Sequence, residues 1–166
     1  MSVKIRNYRE ADAVKVGRLI ADTFREFNLA YASEEEKEKL LGPFRHAHSN
    51  RKAHQSQIAE VIRAPWVLVA LDADEIVGVL RGSPARLHSL FVSKKRHGCG
   101  IGRQLMTAFE RRVSKTGAEA ITLLSSLYAV PFYQSLGYKR TTRVYCGPCF
   151  DGTVFPYQPM KKVLDS

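Results

Sequence analysis

Apolar and polar positions alternate along the chain in a pattern that separates helical from extended stretches. Val3-Lys4-Ile5-Arg6 alternates apolar with charged residues, as a half-buried strand does. Val16, Leu19, Ile20, Phe24 and Phe27 follow at i, i+3, i+4, i+8 and i+11, which lays one apolar stripe along a helix. Ser33-Glu34-Glu35-Glu36 has capping-box spacing, with Ser33 as N-cap and Glu36 three residues on, and Gly42-Pro43 ends that short helix. Residues 44–52 are polar and irregular. Ile58, Val61 and Ile62 then mark the buried side of a helix from about Ala53 to Arg63, stopped by Pro65.

Three extended runs come next in quick succession. Trp66 to Leu71 turns at Asp72-Ala73-Asp74, Glu75 to Arg81 ends at Gly82-Ser83-Pro84, and Arg86 to Ser93 follows. Such short links predict an antiparallel meander. Ile101, Leu105, Phe109 and Val113 recur every fourth residue and predict a strong helix after it. Glu119 to Leu124 reads as a buried strand. Because a helix intervenes, it should lie parallel to the Arg86–Ser93 strand. A short helix from Tyr128 to Leu136 ends at Gly137, a natural C′ residue. Tyr138 to Tyr145 and Val154 to Val163 complete the pattern as a last strand pair. The order predicts an α/β fold in one domain over residues 1–166, with a mixed, mostly antiparallel sheet of about six or seven strands and about four helices.

Composition narrows the class. The hydrophobic fraction is 45% over 166 residues, and no apolar run approaches the ~18 residues a membrane span requires. The N-terminus shows no signal-peptide pattern, so a cytoplasmic protein with no membrane partner is expected. A formal net charge of +10 favours anionic partners, among them a phosphorylated cofactor. Nucleic acid is not expected, because no RNA-recognition motif or zinc finger is present. Three cysteines, an odd number, give no disulfide framework. Cys146-Gly147-Pro148-Cys149 has the spacing of a thioredoxin-type motif. It is followed by the turn signal Phe150-Asp151-Gly152 instead of a helix that would lower a thiol pKa, and reads as a connection. His46, His48 and His54 lie in a basic stretch without acidic neighbours, and no metal site is expected.

Chemistry concentrates between Leu90 and Met106. Here a strand enters a loop bearing Gly98, Gly100 and Gly102, and the loop opens a helix. Glycines let backbone N–H groups approach an anion, and the helix N-terminus adds free donors and partial positive charge. Lys94, Lys95 and Arg96 add positive potential. The stretch reads as a pyrophosphate cradle. No Lys-Ser or Lys-Thr follows the glycines, which excludes a Walker loop. A dinucleotide fold does not suit the antiparallel strands upstream, although Glu119 stands near the distance at which such a fold carries its acidic residue.

These residues resemble the GCN5-related N-acetyltransferases. That family's signature, Gln/Arg-x-x-Gly-x-Gly/Ala between a Leu-x-Val strand end and a helix, is similar to Leu90-Phe91-Val92 followed by His97-Gly98-Cys99-Gly100-Ile101-Gly102. His97 stands where the family usually has Gln or Arg. Ala129-Val-Pro-Phe132-Tyr133-Gln-Ser-Leu-Gly137-Tyr138 resembles the family's Ala-x-x-Phe-Tyr-x-x-x-Gly-Phe block. Ser126 stands where the family often carries an Asn on the pantetheine arm.

The resemblance implies a GNAT fold and acetyl-CoA as cosubstrate, held by Leu90, Phe91, Val92, His97, Gly98, Cys99, Gly100, Ile101, Gly102, Arg103, Ser126 and Tyr133. It implies acetyl transfer to a primary amine on a small molecule or peptide, and a homodimer is compatible with it. Tyr133 would protonate the leaving sulfur, and a backbone N–H near Leu90–Val92 would polarise the carbonyl. The family's lysine acetylases carry a Glu at the position of Arg86. His88, two residues on, is the candidate base, and a water chain is the other route. Residues 25–65 would frame the acceptor. A non-catalytic acetyl-CoA-binding or nucleic-acid-binding module is the rival reading.

Overall fold

The computed structural model describes residues 2–150 and 153–165. Across the described residues runs an eight-stranded sheet. Strand β1 (Val3–Asn7) pairs antiparallel with β2 (Trp66–Asp72), which pairs with β3 (Glu75–Ser83), and β3 pairs with β4 (Arg86–Val92). This is the predicted meander. Strand β5 (Ala120–Ser126) lies parallel to β4 after the helical crossover, as predicted. The last strand, β8 (Val154–Val163), runs antiparallel along β5. Its other edge takes β6 (Lys139–Arg140) at one end and β7 (Tyr145–Pro148) at the other.

Helices cover both faces. On one side lie α1 (Ala13–Thr23), α2 (Glu34–Leu41) and α3 (Lys52–Ile62), whose Val16, Ile20, Leu41 and Ile62 pack with Val69, Val79 and Phe91 of the sheet. On the other lie α4 (Ile101–Ser114) and α5 (Val130–Ser135). There Leu105, Phe109 and Val113 meet Leu80, Leu87 and Ile121. The Ser33 hydroxyl accepts from the Glu36 N–H and the Glu36 carboxylate answers the Ser33 N–H, so α2 begins with the predicted capping box.

Four local features differ from the pattern reading. The apolar stripe through Phe24 and Phe27 is not one helix: after Thr23 the chain widens into a π-turn, Phe24–Asn28, closed by the Leu29 N–H on the Phe24 carbonyl. Residues 44–52 are not wholly a polar loop, because Gly42–His46 forms a 3-10 turn that buries Phe44. The extended run after Tyr138 pairs over only two residues. The Cys-Gly-Pro-Cys stretch starts inside a strand rather than in a connection, since Tyr145–Pro148 forms a hairpin with β8. Asp151 and Gly152 of the expected turn lie outside the described residues.

Candidate functional site

The site grows from the way β4 leaves β5. The two strands pair only at Arg86 with Thr122 and Leu87 with Leu123, and then diverge. The Ser93 N–H donates to the Val77 carbonyl on the β3 side at 2.8 Å. Counting back by twos, Phe91 and Ser89 also turn their N–H groups to β3, and Val92 and Leu90 turn theirs toward the opened gap. Strand splay thus frees backbone donors in the interior, where polar groups are otherwise paired.

A bulge refines this edge. Arg81 pairs with Ser89 and Gly82 with Leu87, which leaves His88 as the extra residue of β4. The bulge breaks the alternation that would otherwise turn residues two apart, such as Arg86 and His88, to one side of the strand. It also puts Leu87 in the α4-side core and Phe91 in the α1-side core, although the two stand four positions apart. His88 is exposed, and its Nε2 lies 3.2 Å from Ser83 Oγ. Partial burial, then the guanidiniums of Arg81 and Arg86, hold the His88 imidazole below its usual pKa, so it is neutral at neutral pH.

Two hollows meet at the gap. A groove of about 510 Å3 runs over the glycine loop, lined by Val92, His97, Gly98, Gly100, Arg103 and Phe132 among others. A pocket of about 270 Å3 lies on the opposite side, lined by His88, Phe91, Ser126, Cys149 and Phe155 among others. Leu90, Ala129 and Tyr133 line both. Tyr133 is 6% exposed, and its hydroxyl has no hydrogen-bond partner among the described residues. Burial pushes its phenol well above the usual tyrosine range, so it keeps its proton through neutral pH.

The glycine loop suits an anion. Gly98 and Gly100 take left-handed backbone, with φ of 75° and 80°, and a Cβ on either would meet nothing within 4 Å. Both positions therefore face open space. Gly100 is the N-cap of α4, and the N–H groups of Ile101, Gly102 and Arg103 follow without intrahelical acceptors. Gly102 has a different reason to be glycine: a Cβ there would stand 3.0 Å from Phe132 Cζ, so it allows the Phe132 ring to close on the helix. Cys99 is exposed within the loop.

Not every predicted residue is as free as the sequence implied. His97 Nε2 is engaged with the Val92 carbonyl at 2.8 Å, and its ring packs on Phe27 at 4.7 Å. Lys94 pairs with Glu26, and Arg96 pairs with Asp72 at 2.7 Å, so two of the three expected loop cations already have carboxylate partners. Arg103 lines the groove with no ion pair among the described residues. Ser126 Oγ accepts a 2.7 Å hydrogen bond from Asn28 Nδ2.

Asn28 and Phe27 are the residues pattern reading missed. The π-turn carries Phe27 between His97 on one lip and Tyr128 on the other, with ring centroids 4.7 and 5.7 Å away, and sets Asn28 against the end of β5. A side-chain amide thus reaches Ser126 from the far side of the gap. Of residues 25–65, expected to frame the acceptor, only Asn28 lines the pocket among the described residues. The strand pair β7–β8 frames it instead, through Pro148, Phe155 and Tyr157, together with Cys149 just after β7. His46 and His54 stack face to face at 3.9 Å, and no metal-holding group exists among the described residues.

Comparison with known proteins bears on this geometry. A family model described as an acetyltransferase (GNAT) domain matches residues 30–164. The uncharacterized N-acetyltransferase YjcF of Bacillus subtilis (strain 168) is 27% identical over 89 residues, which span 51% of this chain and 64% of that protein. The crystal structure of a GCN5-related N-acetyltransferase from Rhodopseudomonas palustris superposes with a TM-score of 0.79 at 20% identity, covering 99% of this chain and 97% of that one. The PaiA N-acetyltransferase of Thermoplasma acidophilum, solved in complex with coenzyme A, superposes with a TM-score of 0.71 at 20% identity, covering 99% and 100%.

Proposed function

This chain belongs to the GNAT acetyltransferase family, and from that premise we propose that it transfers an acetyl group from acetyl-CoA to a primary amine by direct attack. Residues 1–166 act in this reading as one domain. The observation that carries it is the meeting of two hollows at Leu90 and Tyr133, where β4 and β5 separate.

Bound acetyl-CoA supplies a thioester already activated toward amines. The loop from His97 to Arg103 holds the pyrophosphate through its free N–H groups and the α4 N-terminus. Leu90, Phe91 and Val92 line the pantetheine arm with backbone, and Asn28 with Ser126 supplies a polar contact beyond it. The Leu90 N–H, directed into the gap, stabilises charge developing on the carbonyl oxygen. Tyr133 donates its proton to the leaving sulfur. His88, neutral and at the mouth of the opposite pocket, accepts the amine proton directly or through water.

Tyr133→Phe tests the assignment. Loss of the hydroxyl lowers kcat by roughly 10²–10⁴-fold, with coenzyme A affinity little changed. Turnover within a few-fold of wild type would reduce Tyr133 to a packing residue.

A further inference from the structure

Building on the acetyl-transfer reading, the pocket on the His88 side has a charge character that narrows the acceptor. It opens outward into a second depression of about 410 Å3, with Leu87, His88, Leu124, Pro148 and Tyr157 common to both. Arg86 and Tyr145 stand in the outer depression, and the inner walls are largely apolar and aromatic. No Asp or Glu lines either hollow among the described residues.

The cations there lack carboxylate partners. Arg81 is mostly buried, and its guanidinium donates to the carbonyls of Ile62 at 2.9 Å and Val61 at 2.8 Å and to Ser89 Oγ at 3.1 Å. None of the three acceptors is a carboxylate, and Ser89 lines the pocket, although Arg81 itself lines neither hollow. The guanidinium of the exposed Arg86 has no hydrogen bond or ion pair among the described residues. The same two guanidiniums oppose protonation of His88. A positive field of this kind disfavours an ammonium and so favours the neutral, attacking form of an amine. It also opposes any second cation on the acceptor and attracts an anion to the outer depression.

We propose that the acceptor is a monoamine with an apolar or aromatic body and a carboxylate at its far end, the amine directed to Leu90 and Tyr133 and the carboxylate to Arg86. Four residues of strand at ~3.3 Å each, shortened by the bulge at His88, put Arg86 at most about 13 Å from Leu90 along β4. The amine and carboxylate are therefore separated by a spacer rather than carried on one carbon. Polyamines, aminoglycosides and lysine-rich segments present additional positive charge to this field and are poor acceptors.

Three amines sharing one ring test this: 4-(aminomethyl)benzoate, benzylamine and 4-(aminomethyl)benzylamine, each assayed for thiol release from acetyl-CoA. The expected order of kcat/KM is carboxylate, then unsubstituted, then diamine, with steps of about tenfold. Arg86→Ala should bring the kcat/KM ratio of the carboxylate to benzylamine close to one, and Arg86→Glu should bring the diamine above the carboxylate. A diamine turned over as well as the carboxylate by wild type, or an order indifferent to Arg86, overturns the proposal while acetyl transfer stands. Turnover confined to polycationic amines does the same. Absence of thiol release with every amine removes the acetyl-transfer reading and this inference with it.

Discussion

Substitutions at Gly100 separate the two demands on the glycine loop, backbone conformation and open space. Gly100 sits at φ 80° and ψ 9° as N-cap of α4, and a Cβ there meets nothing within 4 Å. Gly100→Ala therefore causes no clash and costs only the left-handed conformation, about 1–2 kcal/mol. In a domain of this size that lowers Tm by roughly 2–8 °C. Gly100→Asn, whose side chain tolerates that region, should lose less. Gly100→Glu has a backbone cost like that of Ala but adds a negative charge beside the anion site. Two unit charges ~5 Å apart at an effective dielectric of ~20 repel by about 3 kcal/mol, on the order of a hundredfold in affinity. Thermal unfolding with calorimetric titration of coenzyme A reads both quantities for all three variants. The expected result is a similar Tm for Ala and Glu, near-native affinity for Asn, and at least a hundredfold loss for Glu. A folded Gly100→Glu protein that binds coenzyme A like wild type would refute the cradle assignment.

The remaining predictions are shorter. Because His88 is held below the usual histidine pKa, its base form persists into mildly acidic solution. The acid limb of kcat/KM should then fall below about pH 6.5, the ordinary histidine value, and His88→Ala should remove that limb. The double variant Cys146→Ser/Cys149→Ser should keep kcat and need no reductant, and it should shift KM for the amine because Cys149 lines the pocket. An acetyl group trapped on either thiol would overturn the direct-attack mechanism. Asp12 accepts two hydrogen bonds from Arg6 at 2.8 and 3.0 Å and one from the Arg9 N–H, and Arg6 holds its carboxyl below the usual range. Asp12→Asn should cost about 1.5–3 kcal/mol by chemical denaturation. The wild-type contribution is present above the unfolded aspartate pKa and lost as pH falls through the lower folded value, so the gap between the proteins should close in acid.

Much of the scaffold was legible because periodicity reports burial directly. The meander β2–β4, the Ile101–Val113 stripe of α4 and the parallel return of β5 all follow from apolar spacing and link length. What stayed hidden depends on geometry with no period. The bulge at His88 is one extra residue in an otherwise regular run, and it exchanges the faces of everything beyond it. The π-turn at Phe24–Asn28 keeps an apolar stripe while changing where its last residues point. Asn28 reaches Ser126 across 98 residues of sequence, a contact that only the folded topology creates. For the same reason, the role of β7 in framing the pocket was invisible in a stretch dominated by Gly147 and Pro148, whose composition signals a turn.

Incubating the purified protein with acetyl-CoA and a panel of primary amines, while following free thiol and the mass of every amine and of the protein, tests the central claim most directly. The geometry at Leu90 and Tyr133 predicts one coenzyme A released for each N-acetylated amine, with no acetyl group on the protein and initial-velocity lines that intersect. Coenzyme A binding without thiol release for any amine, or parallel lines with an acetylated protein, would contradict direct transfer across the gap between β4 and β5.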